Sequence, residues 1–378
     1  MDVAVKYSPQ NAHSVADRYE VEDVATVGAG EYPPSAACSQ LWDICPVVSS
    51  QLPTELWEHI IDFIADDHIY HMRRLGQFGN FGSFAVRMVQ KLPRVDILRL
   101  SHCQWEAGQL HAQVFLHVTL TFGSVTKLEL FDVSFPSAVV FWRLLSALPR
   151  LSSLDCRFVE FKRDCHVLGA VRLPGSLRLD VAHLDDCDGV FDFLTSISVR
   201  LRHLICHGRH LRKHLMLLFV SSESLLSLEV RDIHEASPLN LTPAFNLRVL
   251  AFDGELKDIA KAAGFLSRTS LPKLVEVTIS SRPFPQGTLV SVENILNGID
   301  DDCFQRMDHV LSDHQFLALR KVTLLLRCSA EDSSEAMDVI SEASWRTQLS
   351  SRLPALHASG RLLSSVTVIV CGPGPRLW

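Results

Sequence analysis

The feature that most constrains the fold of this chain is a short apolar pattern that recurs along most of its length. The pattern is an apolar residue, two variable residues, a second apolar residue, one variable residue and a third apolar residue. Its closing pair of alternating apolar positions predicts a short β-strand with one buried face. The nine copies are Val95/Leu98/Leu100, Val125/Leu128/Leu130, Leu151/Leu154/Cys156, Leu201/Leu204/Cys206, Leu225/Leu228/Val230, Leu247/Leu250/Phe252, Leu274/Val277/Ile279, Leu319/Val322/Leu324 and Leu363/Val366/Val368.

The spacing of the copies indicates a repeat. Their starts are separated by 30, 26, 50, 24, 22, 27, 45 and 44 residues, and the gap of 50 divides if Pro174/Leu177/Leu179 is a degenerate copy. The usual spacing lies near the range of about 20–29 residues that is typical of leucine-rich repeats. Apolar stretches with helical spacing follow several copies, at 139–148, 190–194 and 215–220.

Each repeat is therefore a strand, a turn and a helix, and no single repeat can bury its own apolar face. We predict an α/β fold in which repeats stack into a leucine-rich-repeat-like solenoid. Parallel strands would line a curved concave face, with the helices outside. The predicted solenoid covers 93–378, with enlarged repeats near 282–318 and 330–360.

Ahead of the repeats, residues 52–67 have the pattern of an amphipathic helix. Pro53 is tolerated at a helix start, and Glu55 and Glu58 place negative charge at the positive end of the helix dipole. Leu56, Ile60 and Ile64 share one face, which must be covered by another surface.

This helical segment resembles the opening helix of the F-box, on the strength of Leu52, Pro53, Glu55, Leu56, Ile60, Ile61 and Ile64. The resemblance implies that the chain is the substrate receptor of a Skp-cullin-F-box type ubiquitin ligase. It also implies which residues contact the Skp-type adaptor: Leu52, Pro53, Leu56, Ile60 and Ile64. Residues 113–156 resemble the leucine-rich-like body of fungal F-box proteins.

The match to the F-box ends after Asp67. The chain continues with Gly76, Gly79 and Gly82, and glycine at this spacing predicts a loop rather than a further docking helix. We therefore divide the region before the repeats into a flexible leader at 1–48 and a partial F-box-like segment with a loop at 49–92. The alternative to a ligase receptor is a repeat scaffold that binds partner proteins but has lost adaptor binding.

The variable residue at the centre of each pattern is predicted to lie on the concave face. In the amino-terminal half these residues carry both signs of charge, which favours orientation and specificity of a protein ligand. Ordinary surface chemistry is the other interpretation of these charges. The residues predicted to contact an unknown target protein are Arg99, Glu129, Asp155 and Arg178.

A basic segment at 200–214 contains four histidines. A zinc site on His203, His207 and His210 would need a helix, whereas Leu201/Leu204/Cys206 predicts a strand. We therefore predict no metal, and a basic turn that faces the acidic run 185–188 of the preceding repeat. Recognition of an acidic partner by this segment is a further alternative.

Composition excludes several functions. The net charge of −7 and the pI near 6.2 argue against non-specific nucleic-acid binding. No catalytic motif, cofactor motif, C-x-x-C pair, secretory signal or membrane-spanning apolar run is present. We expect a non-enzymatic protein of the cytoplasm or nucleus, with no cofactor and no membrane partner.

Overall fold

The chain folds into an α/β structure built on one eleven-stranded sheet, whose strands lie side by side in the order of the chain. The computed structural model describes residues 2–7, 95–106, 112–162, 177–232, 241–282, 296–330 and 341–370. The F-box-like segment 52–67, with Leu52, Pro53, Leu56, Ile60 and Ile64, lies outside the described residues.

The first strand is antiparallel to the second, and the second to eleventh strands are all parallel to one another. The strands are β1 (Asp2–Tyr7), β2 (Val95–Gln104), β3 (Lys127–Phe135), β4 (Ser153–Phe161), β5 (Val181–Asp185), β6 (His203–His207), β7 (Ser227–Arg231), β8 (Val249–Glu255), β9 (Glu276–Arg282), β10 (Lys321–Ala330) and β11 (Leu362–Val370).

Within the residues that the structure describes, helices occupy most of the connections between parallel strands. They are α1 (Ala112–Phe122), α2 (Ala138–Ser146), α3 (Asp188–Ser196), α4 (Gly208–Lys213), α5 (Leu215–Ser221), α6 (Ile259–Leu266), α7 (Asp301–Ser312), α8 (Glu342–Arg352) and α9 (Pro354–Ala358). Within the described residues, no helix combines the length and the apolar character that a bilayer crossing needs.

The apolar positions of the repeat pattern form the core and stay in register across the sheet. Leu128 pairs with Leu98 on one side and with Leu154 on the other, and all three side chains are fully buried. The same arrangement joins Leu204 to Leu228. Each apolar side chain is thus covered by its counterparts in the flanking strands and by the helices.

One predicted repeat copy was wrong in position. Strand β5 begins at Val181, so the buried residues of this repeat are Leu179, Ala182 and Leu184 rather than Pro174, Leu177 and Leu179. His183, which pairs with Asp155, occupies the central position of this strand. Arg178 is exposed ahead of β5, so the prediction that it lies on the strand face was wrong.

The last predicted copy was wrong in position by four residues. Leu362 pairs with Val322 and Ser364 with Leu324, so Leu362 and Ser364 lie on the covered face of β11. Leu363 and Val368 are 49% and 37% exposed. Val366 and Val368, which pair with Leu326 and Cys328, lie on the same face as Leu362 and Ser364. A shift by an even number of residues therefore keeps the apolar alternation, and the small polar Ser364 at a core position hid the correct copy.

Strand β1 lies in the segment 1–48 that we predicted to be a flexible leader. It pairs with β2 from Asp2 opposite Ser101 to Tyr7 opposite Val95. The alternation of Val3, Val5 and Tyr7 with other residues is a sequence signal for such a strand. The rest of the leader lies outside the described residues.

The two enlarged repeats contain α7, α8 and α9. The Asp300 side chain accepts the Asp302 N–H at 3.1 Å and caps α7, and Ser341 accepts the Ser344 N–H at 3.2 Å at the start of α8. The buried Asp308 carboxylate of α7 accepts the backbone N–H groups of Ala355 and Leu356 at 2.8 and 2.9 Å. This contact joins α7 to α9 and connects the two enlarged repeats.

The register of the last two strands predicts unequal effects of two leucine truncations. Leu324→Ala removes a side chain that is 1% exposed and should lower the free energy of unfolding by about 2–5 kcal/mol. Leu363→Ala, on the adjacent strand, should change it by less than about 1 kcal/mol. Urea denaturation followed by circular dichroism measures both, and equal losses would contradict the observed register.

Candidate functional site

The candidate site is the face of the sheet opposite the apolar core, which we call the open face. Its central row contains one residue from each parallel strand, and neighbouring residues in the row are register partners. Most of these side chains are half-buried, as expected where each is flanked only by its neighbours in the row. The row consists of Arg99, Glu129, Asp155, His183, Ile205, Glu229, Ala251, Thr278, Thr323 and Leu363.

The first two predicted site residues pair with each other. Arg99 Nε lies 2.6 Å from Glu129 Oε2, and Lys127 Nζ lies 2.6 Å from Glu129 Oε1. The Glu129 side chain is 15% exposed. Although burial opposes the effect, the Lys127 and Arg99 contacts hold the pKa of Glu129 below its ordinary value.

Asp155, the third predicted residue, belongs to a second group of pairs. Its oxygens lie 3.1 Å from Arg157 Nε and 3.1 Å from His183 Nδ1. His183 Nε2 is 2.9 Å from Arg231 Nη1, and Arg231 Nε donates to Glu229 at 2.8 Å. The Arg231 contact requires an unprotonated Nε2, so the neutral His183 tautomer with a proton on Nδ1 fits both contacts.

Residues beyond the central row, towards the carboxyl ends of the strands, continue the ion pairs across the carboxy-terminal half. Asp232 lies 3.6 Å from Arg282, and Asp253 lies 3.7 Å from Arg282 and 3.6 Å from Arg327. Sequence analysis missed Arg231, Asp253, Arg282 and Arg327 because it considered only the central position of each pattern. The period of two along a strand places these residues on the same face and was the available signal.

Three exposed rings form an aromatic row at the amino-terminal end of the open face. His102, Phe131 and Phe158 come from β2, β3 and β4. Edge-to-face contacts join them, with centroid distances of 5.3 Å for His102 to Phe131 and 5.7 Å for Phe131 to Phe158. Phe131 and Phe158 are 38% and 45% exposed. Exposed aromatic rings in contact with one another are typical of protein-binding surfaces.

The predicted contact between the basic segment and the acidic run is confirmed. Arg209 pairs with Asp186, and Lys213 pairs with Asp188. Burial acts in the opposite direction, but hydrogen bonds from Lys213, His214 and His210 keep the pKa of Asp188 well below its usual range. The basic segment forms α4 after strand β6 rather than a simple turn.

The structure thus brings together Arg99 and Glu129, places Asp155 one strand further along the same face, and leaves Arg178 outside it. Comparison with known proteins identifies no family: no protein-family model matches the chain, and no curated protein matches it either.

The Asp155 contacts predict a specific dependence of stability on pH. Burial raises the pKa of this carboxyl, but the His183 and Arg157 contacts outweigh it and lower the pKa from 3.8 to about 2. A depressed folded-state pKa contributes stability above the unfolded value, and this contribution is lost as pH falls from about 4 towards 2. The shift corresponds to about 2 kcal/mol for this side chain, which is 14% exposed.

Asp155→Asn should therefore lower the free energy of unfolding by about 2 kcal/mol at pH 7 and flatten its decline below pH 5. Denaturant titrations of both proteins from pH 7 to pH 3 provide the measurement. Asp180→Asn is the matched control, because Asp180 pairs with Arg202 at 3.4 Å while 55% exposed. Such an exposed pair contributes about 1 kcal/mol or less. An equal effect of the two substitutions would refute the assignment.

Proposed function

We propose that this chain is a non-catalytic substrate receptor of a Skp-cullin-F-box type ubiquitin ligase, with a leucine-rich-repeat-like solenoid as its target-binding body. The observation that carries the proposal is the open face, where ten in-register parallel strands present a broad, mostly polar surface with an aromatic row at one end. A broad surface of this kind suits the binding of another polypeptide.

The repeat geometry supports the solenoid. In leucine-rich repeats an asparagine or cysteine follows the last apolar position of the pattern by three residues. Cys103 and Cys187 occupy this position after Leu100 and Leu184. The Cys187 thiol donates to the Cys156 carbonyl of the preceding repeat at 3.7 Å, and so links two adjacent repeats.

The adaptor-binding part of the proposal rests on the F-box resemblance of 52–67. Leu52, Pro53, Leu56, Ile60 and Ile64 would pack against the Skp-type adaptor, and the repeats would present the target to the ligase. Placement in the cytoplasm or nucleus is part of this proposal, because the ligase acts there.

The open face suits protein recognition because its charged side chains are already positioned. Pairs such as Arg99 with Glu129 and Arg231 with Glu229 hold long side chains in one geometry before a partner arrives. Less conformational entropy is then lost on binding. On this proposal the aromatic row supplies the buried contact, and the charged pairs select the orientation of the target.

The second candidate is a repeat scaffold that has lost adaptor binding. It is favoured by the sequence after Asp67, where glycines at 76, 79 and 82 replace the second half of the F-box pattern. Both candidates share the open face as the binding surface, so adaptor binding is the property that separates them.

Adaptor binding should depend on the apolar stripe of 52–67. The double substitution Leu56→Asp and Ile60→Asp should abolish co-purification of a recombinant Skp-type adaptor, because it places charge in the apolar contact. His59→Asp is the control and should leave binding intact, because His59 lies outside the apolar face shared by Leu56, Ile60 and Ile64. Failure of the intact chain to bind any Skp-type adaptor would favour the scaffold.

Target binding should depend on the aromatic row. Phe131→Ala with Phe158→Ala should weaken target capture by about tenfold or more, because exposed aromatic rings commonly dominate interface energy. Quantitative proximity labelling in cells measures the loss, normalised to adaptor capture. Phe245→Ala is the matched control, since Phe245 and Phe158 are both 45% exposed and Phe245 lies in a connection outside the open face. Unchanged capture by the double variant would refute this role of the row.

A further inference from the structure

The sheet ends at an unpaired strand on its carboxy-terminal side. In the part of the chain that the structure describes, β11 pairs with β10 through Leu362 to Val370 and has no strand on its other side. A strand in this position presents a row of free backbone N–H and C=O groups, which is a template for a further strand. The free side of β11 is therefore a candidate interaction surface, and we call it the β11 edge.

One backbone hydrogen bond shows which groups of β11 face outward. The Val322 N–H donates to the Arg361 carbonyl at 2.9 Å, so this carbonyl is directed at β10. The backbone groups of successive strand residues point alternately to the two sides of the strand. The odd-numbered residues of β11 therefore bond to β10, and the even-numbered residues direct their N–H and C=O groups away from the sheet. These outward-facing residues are Leu362, Ser364, Val366, Val368 and Val370.

The β11 edge lacks the features by which natural sheets prevent edge pairing, which are charged side chains, proline and short length. Strand β11 has nine residues, LLSSVTVIV, and contains neither a charged residue nor a proline. Its β-branched residues favour an extended backbone. Strand β1, at the opposite edge of the sheet, differs because it contains Asp2 and Lys6. The β11 edge is thus suited to pairing with a further strand.

The sequence of β11 is nearly symmetrical about its central residue, Val366. The hydroxyl residues Ser365 and Thr367 flank it, and the strand begins with two leucines and ends with isoleucine and valine. In an antiparallel pair of two β11 strands centred on Val366, Ser365 of each copy lies opposite Thr367 of the other. No like charges meet in this pairing, because the strand carries none.

The outward backbone groups fit the same antiparallel arrangement. With Val366 opposite itself, Ser364 lies opposite Val368 and Leu362 lies opposite Val370, so every pair consists of two outward-facing residues. Such residues exchange both of their N–H to C=O hydrogen bonds in an antiparallel ladder. The strand is therefore complementary to a second copy of itself in backbone direction, side-chain type and charge.

We propose that the β11 edge binds the β11 edge of a second copy of this chain, in an antiparallel pairing whose two-fold axis passes beside Val366. Both copies use the same surface, so the assembly closes as a dimer. The two sheets join into one, with the open faces of both copies on the same side. This inference goes beyond the proposed function and does not depend on adaptor or target binding.

The first test measures the oligomeric state of the full-length chain by sedimentation velocity. The intact chain should show a monomer–dimer equilibrium between about 1 and 100 μM, the range in which weak dimers dissociate. Val368→Pro removes an outward N–H that does not bond to β10, and should weaken dimerisation by about tenfold or more. Val368→Ala keeps this N–H and is the matched control, so it should dimerise as the intact chain does. Circular dichroism of each variant checks that the fold is retained.

The second test is specific to the register. The lysine variant combines Ser365→Lys with Thr367→Lys, and the glutamate variant combines Ser365→Glu with Thr367→Glu. Both positions lie on the open face of β11, where Thr367 is exposed and Ser365 is half-buried. Each variant alone places like charges opposite one another and should dimerise about tenfold or more weakly. An equimolar mixture places each lysine opposite a glutamate, and should recover dimerisation as heterodimers.

Several outcomes would overturn the proposal. An intact chain that stays monomeric at all concentrations would leave the β11 edge to a strand of a different protein. Species larger than a dimer would indicate open-ended pairing between copies, such as β11 with β1. Dimerisation of the mixture that is no stronger than that of either variant alone would exclude the antiparallel register about Val366. None of these outcomes bears on adaptor or target binding.

Discussion

The structure depends on the sharing of apolar side chains between equivalent positions of adjacent strands. Leu98, Leu128 and Leu154 are fully buried because each covers the next across the sheet, and none could be buried by its own repeat. A one-residue slip in any strand would transfer its apolar residues to the open face. The stacking therefore fixes the register, and the register decides which residues face outwards together.

The polar chemistry of the open face follows from this register. Arg99 and Glu129 are 30 residues apart in sequence, yet they become direct neighbours because their strands pair without an offset. Asp155 meets His183 in the same way. Charges of opposite sign on adjacent strands stabilise the sheet where they are partly buried, so these residues serve the fold before they serve any ligand. Their value for recognition lies in a fixed arrangement rather than in unpaired charge.

The sequence predicted the α/β class, most of the repeat strands and the presence of Glu129 and Asp155 on one face. These features follow from the alternation of apolar residues along each strand, which can be recognised without knowledge of the tertiary structure. The prediction failed where that alternation is weak. In β5 the small Ala182 fills a core position, whereas Leu177 and Leu179 just ahead of the strand are more strongly apolar. The repeat pattern was therefore placed on Leu177 and Leu179, with Arg178 as its central residue. In β11 the polar Ser364 occupies a core position, so the pattern was assigned four residues further along, to Val366 and Val368 on the same face. The pairing of His207 with Asp185, by contrast, depends on register between strands, which no single repeat encodes.

The aromatic side chains and the ion pairs lie in different regions of the open face, and the two regions differ in their physical properties. Phe131 and Phe158 are exposed at the amino-terminal end, and the backbone of Phe158 has a positive φ of 55° within strand β4. Further along, Asp232, Asp253, Arg282 and Arg327 interact mainly through longer contacts of 3.6–3.7 Å. Apolar rings gain free energy when a partner removes them from water, whereas paired charges lose hydration on the same event. On the proposed function, binding energy should therefore concentrate at the aromatic end, with the charged strands rejecting partners that cannot match their pattern.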